Sequence, residues 1–269
     1  MIVIRKIKSL FYILNREYSW LRDSKECRKK LSPKKIQKVP TGKKIILMPH
    51  SDDEWIGCSQ ILLEQPEQII VVNMDMKGGD DEKIHLLRRR EAESVAKKYN
   101  YKFLTVGDRL KDLIQIFAHE NPICVFLPCY LDWHEEHIET IRIFSEAASQ
   151  AGYMGMVGMY QLSLPIPEKL INCGMCMTKR QLKEKWKNLE KMYKTQEFLP
   201  TRRFMLNEFI NGAISDSYSL EAYCLMNYDE WEHAANVGIM SAECRKEAFT
   251  HLKDIRYIKE LLERCMKVV

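Results

Sequence analysis

Two short stretches hold most of the chemistry this chain could perform. "HSDDE" at 50–54 sets one imidazole beside three carboxylates, and "DWHEEH" at 132–137 sets two imidazoles three positions apart among three more acids. Imidazole and carboxylate together bind divalent cations, and a spare carboxylate near such a site can move a proton during hydrolysis. Each stretch alone also has a plain structural reading. Ser51 or Asp52 could cap the helix that follows, and two histidines at i and i+3 merely share a helix face. The spacing is not that of the zincins, which place His at i and i+4 around a Glu.

What favours a joint site is where the elements deliver the two stretches. "KIILMP" is a short apolar strand, "WIGCSQILLEQ" a helix, "QIIVVNMD" a second strand, and "DDEKIHLLRRREAESVAKKYN" a long charged helix with an apolar face at Ile84, Leu87, Val95 and Tyr99. "YKFLTV" and "ICVFLP" are further strands around the amphipathic "DRLKDLIQIFAHE". "MGMVGMYQLSL" and "LINCGMCMT" are strand-like, and "KRQLKEKWKNLEKMYKTQ" is a helix. Alternating strands and helices predict an α/β fold, Rossmann-like, with a mostly parallel sheet and helices on both faces. In such sheets ligands bind beyond the carboxyl ends of the strands. Residues 50–54 follow one strand and 132–137 follow another, so both are expected at one edge. One His and one Asp from the first loop, with one His from the second, then make a three-ligand site with a coordination place open for water.

The quoted motifs, "PHSDDE", then "RRREAE", then "DWHEEH", resemble the PIG-L/LmbE family of metal-dependent N-acetylglucosaminyl deacetylases over roughly residues 43–200, and "MYKTQ" at 192–196 is similar to a further segment of that family. The resemblance implies an LmbE-like fold and roles for individual residues. His50, Asp53 and His137 would bind Zn2+, with Fe2+ as the alternative for two imidazoles and a carboxylate. Asp52 would be the general base, and His134 would face the developing oxyanion. Glu54 would fix the loop. Arg90, in an RxxE element with Glu93, and Asp108 in "VGD" would contact substrate. The sequence departs from the family at Glu136, where an aspartate is usual, and at "KGGDDE", residues 77–82. The implied activity is hydrolysis of an N-acetyl amide on an N-acetylglucosamine-type sugar, free or linked to a lipid or nucleotide. The competing reading is a glycan-binding protein that keeps the fold without turnover.

Composition bounds the rest. The 269 residues are 46% apolar and 29% charged, with no apolar run near the roughly 18 to 20 residues of a membrane-spanning helix. Nine scattered cysteines without an export signal predict reduced thiols in the cytoplasm, and Cys173 and Cys176 form a lone CxxC that is half a zinc site at best. Residues 1–44 carry 14 Lys or Arg against 3 acids, in a chain whose total is +5. Residues 1–42 are therefore read as a basic leader, a helix packed on the body followed by a solvated linker, and 43–269 as the catalytic domain with a C-terminal extension from about 200. Ile4, Ile7, Leu10, Phe11 and Leu14, at helical spacing, offer an alternative peripheral contact with the inner face of a membrane. No nucleic-acid module is recognisable, and the extension is expected to be an added helical layer or an oligomer contact. Trp133 is expected either to stack on a sugar or to anchor its loop. His85, His119, His233 and His251 are expected at the surface.

Overall fold

The computed structural model describes the backbone of residues 2–196 and 199–266, and side chains from residue 15 within that range. The proposed membrane-facing positions Ile4 to Leu14 lie outside the described side chains.

Seven strands form one sheet: β1 (Lys44–Met48), β2 (Ile69–Asn73), β3 (Lys102–Thr105), β4 (Cys124–Pro128), β5 (Met156–Tyr160), β6 (Cys173–Met177) and β7 (Ser219–Asn227). Their order across the sheet is β3-β2-β1-β4-β5-β7-β6. The pairs from β3 to β5 are parallel, while β7 runs antiparallel to both of its neighbours. The expected α/β class is therefore present.

Successive side chains of a strand point to opposite faces. Ile45 and Leu47 join one core with Leu113, Phe117, Ile138 and Phe144, from α4 (Arg109–Glu120) and α5 (Glu135–Ala151). Ile46 and Met48 join the other with Trp55, Val95, Trp186 and Phe204. These come from α2 (Asp53–Glu64), α3 (Glu82–Tyr99), α6 (Lys179–Met192) and α7 (Thr201–Asn211). Burial on both faces explains why the central strands are continuous apolar runs rather than alternating ones.

Two expectations need correction. The face that α3 buries is His85, Ala92, Val95 and Ala96, while Leu86 and Leu87 are exposed. His85 can be buried because its Nε2 lies 3.1 Å from Asp75 Oδ1. The stretch beyond residue 200 is not simply an added helical layer. It supplies β7, the longest strand, seated inside the sheet, before α8 (Tyr228–Gly238), α9 (Ala242–Thr250) and α10 (Ile255–Met266).

β7 carries Glu221 in its buried interior. The charge is tolerated because Lys185 on α6 reaches it at 2.6 Å, and Ser59 and the Gln60 amide also donate to it at 2.7 and 2.9 Å. Lys185 bonds Glu208 of α7 and the Ile56 carbonyl as well, so one ammonium ties α2, α6, α7 and β7 together. Trp186 Nε1 donates to the other oxygen of Glu208 at 2.7 Å. Burial still pushes the Glu208 carboxyl up to about 7.

α1 (Ile2–Lys29) packs on the body, with Trp20 and Cys27 buried against Leu206, Ile210 and Ile255. Among the described residues, no helix is long and apolar enough to cross a membrane. All nine cysteines are free thiols, and Cys176 is exposed while Cys173 is buried.

Candidate functional site

The chain leaves β1 toward β2 and β3 on one side, and β4 starts on the other side of β1. Loops after β1 and β4 therefore diverge above a crevice between these two strands, which is the ligand position expected of an open parallel sheet. The first loop runs through Pro49 to Asp52, the second from Cys129 to His134.

In the first loop the amides of Trp55 and Ile56 reach back to the Asp52 carbonyl at 3.0 Å, so Asp52 occupies the N-cap position of α2. Its side chain makes no capping bond. The backbone there has φ 147°, a region L-residues rarely enter, at a typical cost of about 1–3 kcal/mol. This contradicts the capping reading, because the strained residue leaves its carboxylate free to line the cavity. Burial, reinforced by the neighbouring Asp53, raises the Asp52 carboxyl well above the usual range.

Asp53 turns back under the loop. Its Oδ2 accepts from the His50 amide at 2.9 Å, lies 3.2 Å from His50 Nδ1, and is 3.7 Å from His137 Nε2. Although burial opposes ionisation, the imidazoles of His137 and His50 hold Asp53 below the usual carboxylate range. Burial alone would lower His50, yet its bonds to Asp53 and Glu136 prevail and raise it to about 10. Glu136 Oε2 sits 2.7 Å from His50 Nε2, and its other oxygen accepts from the Gly78 amide at 3.3 Å. Gly78 has φ 61°, and a Cβ there would come within 3.3 Å of His50, so the "KGG" turn needs glycine to pass so near the imidazole.

In the second loop Asp132 accepts from the His134 amide at 3.0 Å, and His134 becomes the N-cap of α5. His134 Nδ1 accepts from the Glu136 amide at 3.3 Å. Burial, with His137 and His50 nearby, pushes His134 down to about 4. A neutral imidazole accepting at Nδ1 carries its proton on Nε2, leaving that nitrogen as a donor. His137 is buried on the first turn. Its Nδ1 lies 3.3 Å from Asp132 Oδ2 but at an angle that makes no hydrogen bond.

The two loops meet. Ring centroids are 4.7 Å apart for His50 and His134, 5.2 Å for His50 and His137, and 4.7 Å for His134 and His137. One nitrogen from each falls within 4.8 Å of the others, a spacing that can hold a metal ion. Donor chemistry and spacing both fit a divalent cation: His50 Nδ1 and His137 Nε2 both approach the same Asp53 oxygen. His134, read from sequence as lying opposite the ion, sits close enough to belong to the nitrogen cluster.

The cavity above these groups measures about 240 Å³. Trp133 lines it, packed 4.8 Å from Phe249 and 5.1 Å from His134. Arg90 and Asp108 are not brought there. Both are exposed, and Asp108 caps α4 by accepting from the Lys111 amide at 3.3 Å. Arg88 lines the cavity instead, paired with Asp80 at 2.5 Å. Three residues on from Arg88, Glu91 receives the Thr195 hydroxyl at 2.6 Å. "RRREAE" thus holds two RxxE frames, and the one facing the site is Arg88 with Glu91. Tyr193 donates to Glu54, as does Tyr101 at 3.1 Å, and Gln196 lines the cavity. This fixes Glu54 beneath the loop, and burial raises it to about 7. Arg203 on α7, for which no sequence signal was found, completes the wall.

No protein-family model and no curated protein matches this sequence. Solved structures do share its fold. The conserved protein TT1542 from Thermus thermophilus aligns with TM-score 0.54 at 16% identity, over 68% of this chain and 94% of its own. The zinc-inhibited form of the teicoplanin deacetylase Orf2 aligns at 0.52 and 12%, over 70% and 99%. The A40926 pseudoaglycone deacetylase Dbv21 aligns at 0.51 and 16%, over the same shares. At these identities the likeness establishes a common fold, one used by deacetylases.

Proposed function

We propose that this protein is a metal-dependent amide hydrolase that removes the acetyl group from a 2-acetamido sugar, releasing acetate and the free amine. The observation that carries the reading is the meeting of His50, Asp53 and His137 beside an uncapped, buried Asp52 and a neutral His134. That structures sharing the fold include proteins named as deacetylases supports the same chemistry.

His50, Asp53 and His137 would hold the cation, zinc by donor type with ferrous iron as the alternative. When bound, it supplies Lewis-acid polarisation of the amide carbonyl, lowers the pKa of water to about 7, and offsets the negative charge around Asp52. Asp52 takes a proton from the water that adds to the carbonyl carbon. The carbonyl oxygen becomes negative and meets the Nε2 donor of His134, a contact stronger in the transition state than in the ground state. The carbon–nitrogen bond then breaks, the amine takes the proton from Asp52, and acetate departs. Glu136 orients the imidazole of His50 through its hydrogen bond to Nε2, and the Asp132 carboxylate lies 3.3 Å from His137 Nδ1. Arg88 is positioned to hold the sugar, and Trp133 offers a face for its ring.

The free thiols suit a reducing compartment, so we place the protein in the cytoplasm. The test is amine release from a panel of N-acetylated sugars, with and without chelator. Release that survives complete metal removal would exclude the mechanism. A non-catalytic glycan binder is separated by the double variant Asp52→Asn with His134→Ala. The hydrolase reading requires loss of turnover with sugar binding retained.

A further inference from the structure

Beside the reaction cavity lies a second groove, of about 460 Å³, walled by Arg16, Glu17 and Trp20 of α1 together with Thr201, Arg202 and Lys253. The two share Leu199, Pro200, Arg203 and Leu252, so they adjoin around one residue. Arg203 is buried there. Its Nη1 donates to the Leu252 carbonyl at 2.6 Å and its Nη2 to the Ser163 carbonyl at 2.8 Å. Its Nε has no partner among the described residues.

The described lining holds four cations and one carboxylate. Glu17 is engaged by Arg202 at 3.4 Å. Arg16 lies 4.9 Å over the Trp20 ring, and its Nε is likewise buried and without a partner among the described residues. Lys253 is exposed and makes no ion pair among the described residues. Gathering cations around a concave surface costs mutual repulsion, and unpaired buried donors cost desolvation. Both costs are relieved by one anion with several acceptor oxygens, for which guanidinium groups and an ammonium are the usual partners.

We infer that this groove is a phosphate subsite, and that the amino sugar carries a phosphate ester or pyrophosphate on the side away from its acylated amine. The inference deepens the hydrolase reading and rests on it for the position of the sugar. It gives the leader helix a function, since Arg16 and Trp20 come from α1. Nucleotide and lipid carriers share this chemistry.

The test measures binding to the full chain by calorimetry, independently of turnover. The probes are methyl N-acetylglucosaminide, N-acetylglucosamine 1-phosphate, UDP-N-acetylglucosamine and an alkyl-pyrophosphoryl N-acetylglucosamine below its micelle concentration. At least one phosphorylated probe should bind tenfold or more tightly than the methyl glycoside, a preference that weakens with salt. Whether the nucleotide or the alkyl probe binds more tightly identifies the carrier. Lys253→Gln, at an exposed position, and the double variant with Arg16→Gln should progressively remove the preference while leaving the methyl glycoside unaffected. Equal binding of all four probes to the wild-type chain, or a preference untouched in both variants, overturns the inference. Phosphate-dependent binding without amine release would instead overturn the hydrolase reading alone.

Discussion

At the scale of single residues, the site divides into groups that touch a substrate or ion and groups that hold them in place. The distinction can be measured at "RRREAE". Arg88→Ala should raise KM at least tenfold, because the side chain lines the cavity. Arg90→Ala, on the exposed face of α3, should leave KM within twofold. The same steady-state assay on both variants decides between the two frames. Sequence alone could not choose, since three consecutive arginines and glutamates at 91 and 93 satisfy the spacing twice. The imidazoles and acids of the two loops were legible because each loop follows an apolar strand. Their exact pairing was not, because it depends on the fold bringing one oxygen of Asp53 between rings from two different loops. For that pairing the expected outcome is that Asp53→Ala abolishes stoichiometric metal in protein purified without additions, while His134→Ala retains it, as read by elemental analysis. Metal lost from the His134 variant instead would make the three imidazoles the ligand set.

At the scale of elements, the informative contrast is between α2 and β7. The start of α2 was readable as a helix boundary, and Asp52 stands at the N-cap position, yet the residue does not cap. It holds a strained backbone that a glycine, lacking Cβ, would adopt with less steric strain. Asp52→Gly should therefore raise the midpoint of thermal unfolding, by the equivalent of about 1 kcal/mol, while reducing turnover at least a hundredfold. A variant that is both less stable and inactive would show that the strain is offset by contacts of the carboxylate. β7 was hidden for the opposite reason. A carboxylate amid "SLEAYCLMN" argues against a buried strand, and only Lys185, distant in sequence, makes Glu221 acceptable there. Local pattern cannot register a partner that the fold brings from another helix.

At the scale of the whole molecule, two ion-pair systems should behave differently. Lys185→Met leaves Glu208 and Glu221 buried without their cation, and should destabilise the protein by about 3 kcal/mol in urea unfolding at neutral pH. Glu120, by contrast, bridges Lys102 and Lys43 at the foot of the sheet, at 2.6 and 2.9 Å. Their hydrogen bonds lower its carboxyl from the ordinary 4.5 to about 2. A lowered acid favours the folded state above the unfolded pKa and loses that contribution as pH falls through the folded one. The gap in stability between wild type and Glu120→Gln should be constant above pH 4.5 and close between 4.5 and about 2. Solvent around the half-exposed lysines limits it to about 1 kcal/mol.

The position of β7 also dictates an order of events during synthesis. β5 and β6 are made early but are not neighbours, and the place between them stays vacant until some forty residues later, when Ser219–Asn227 arrives running the other way. A nascent chain that has emerged only to residue 200 therefore presents β5 as a bare sheet edge and β6 without its strand partner, the kind of surface that invites pairing with another chain. The final quarter of the polypeptide acts as the keystone of the sheet whose far loops bring the three imidazoles together.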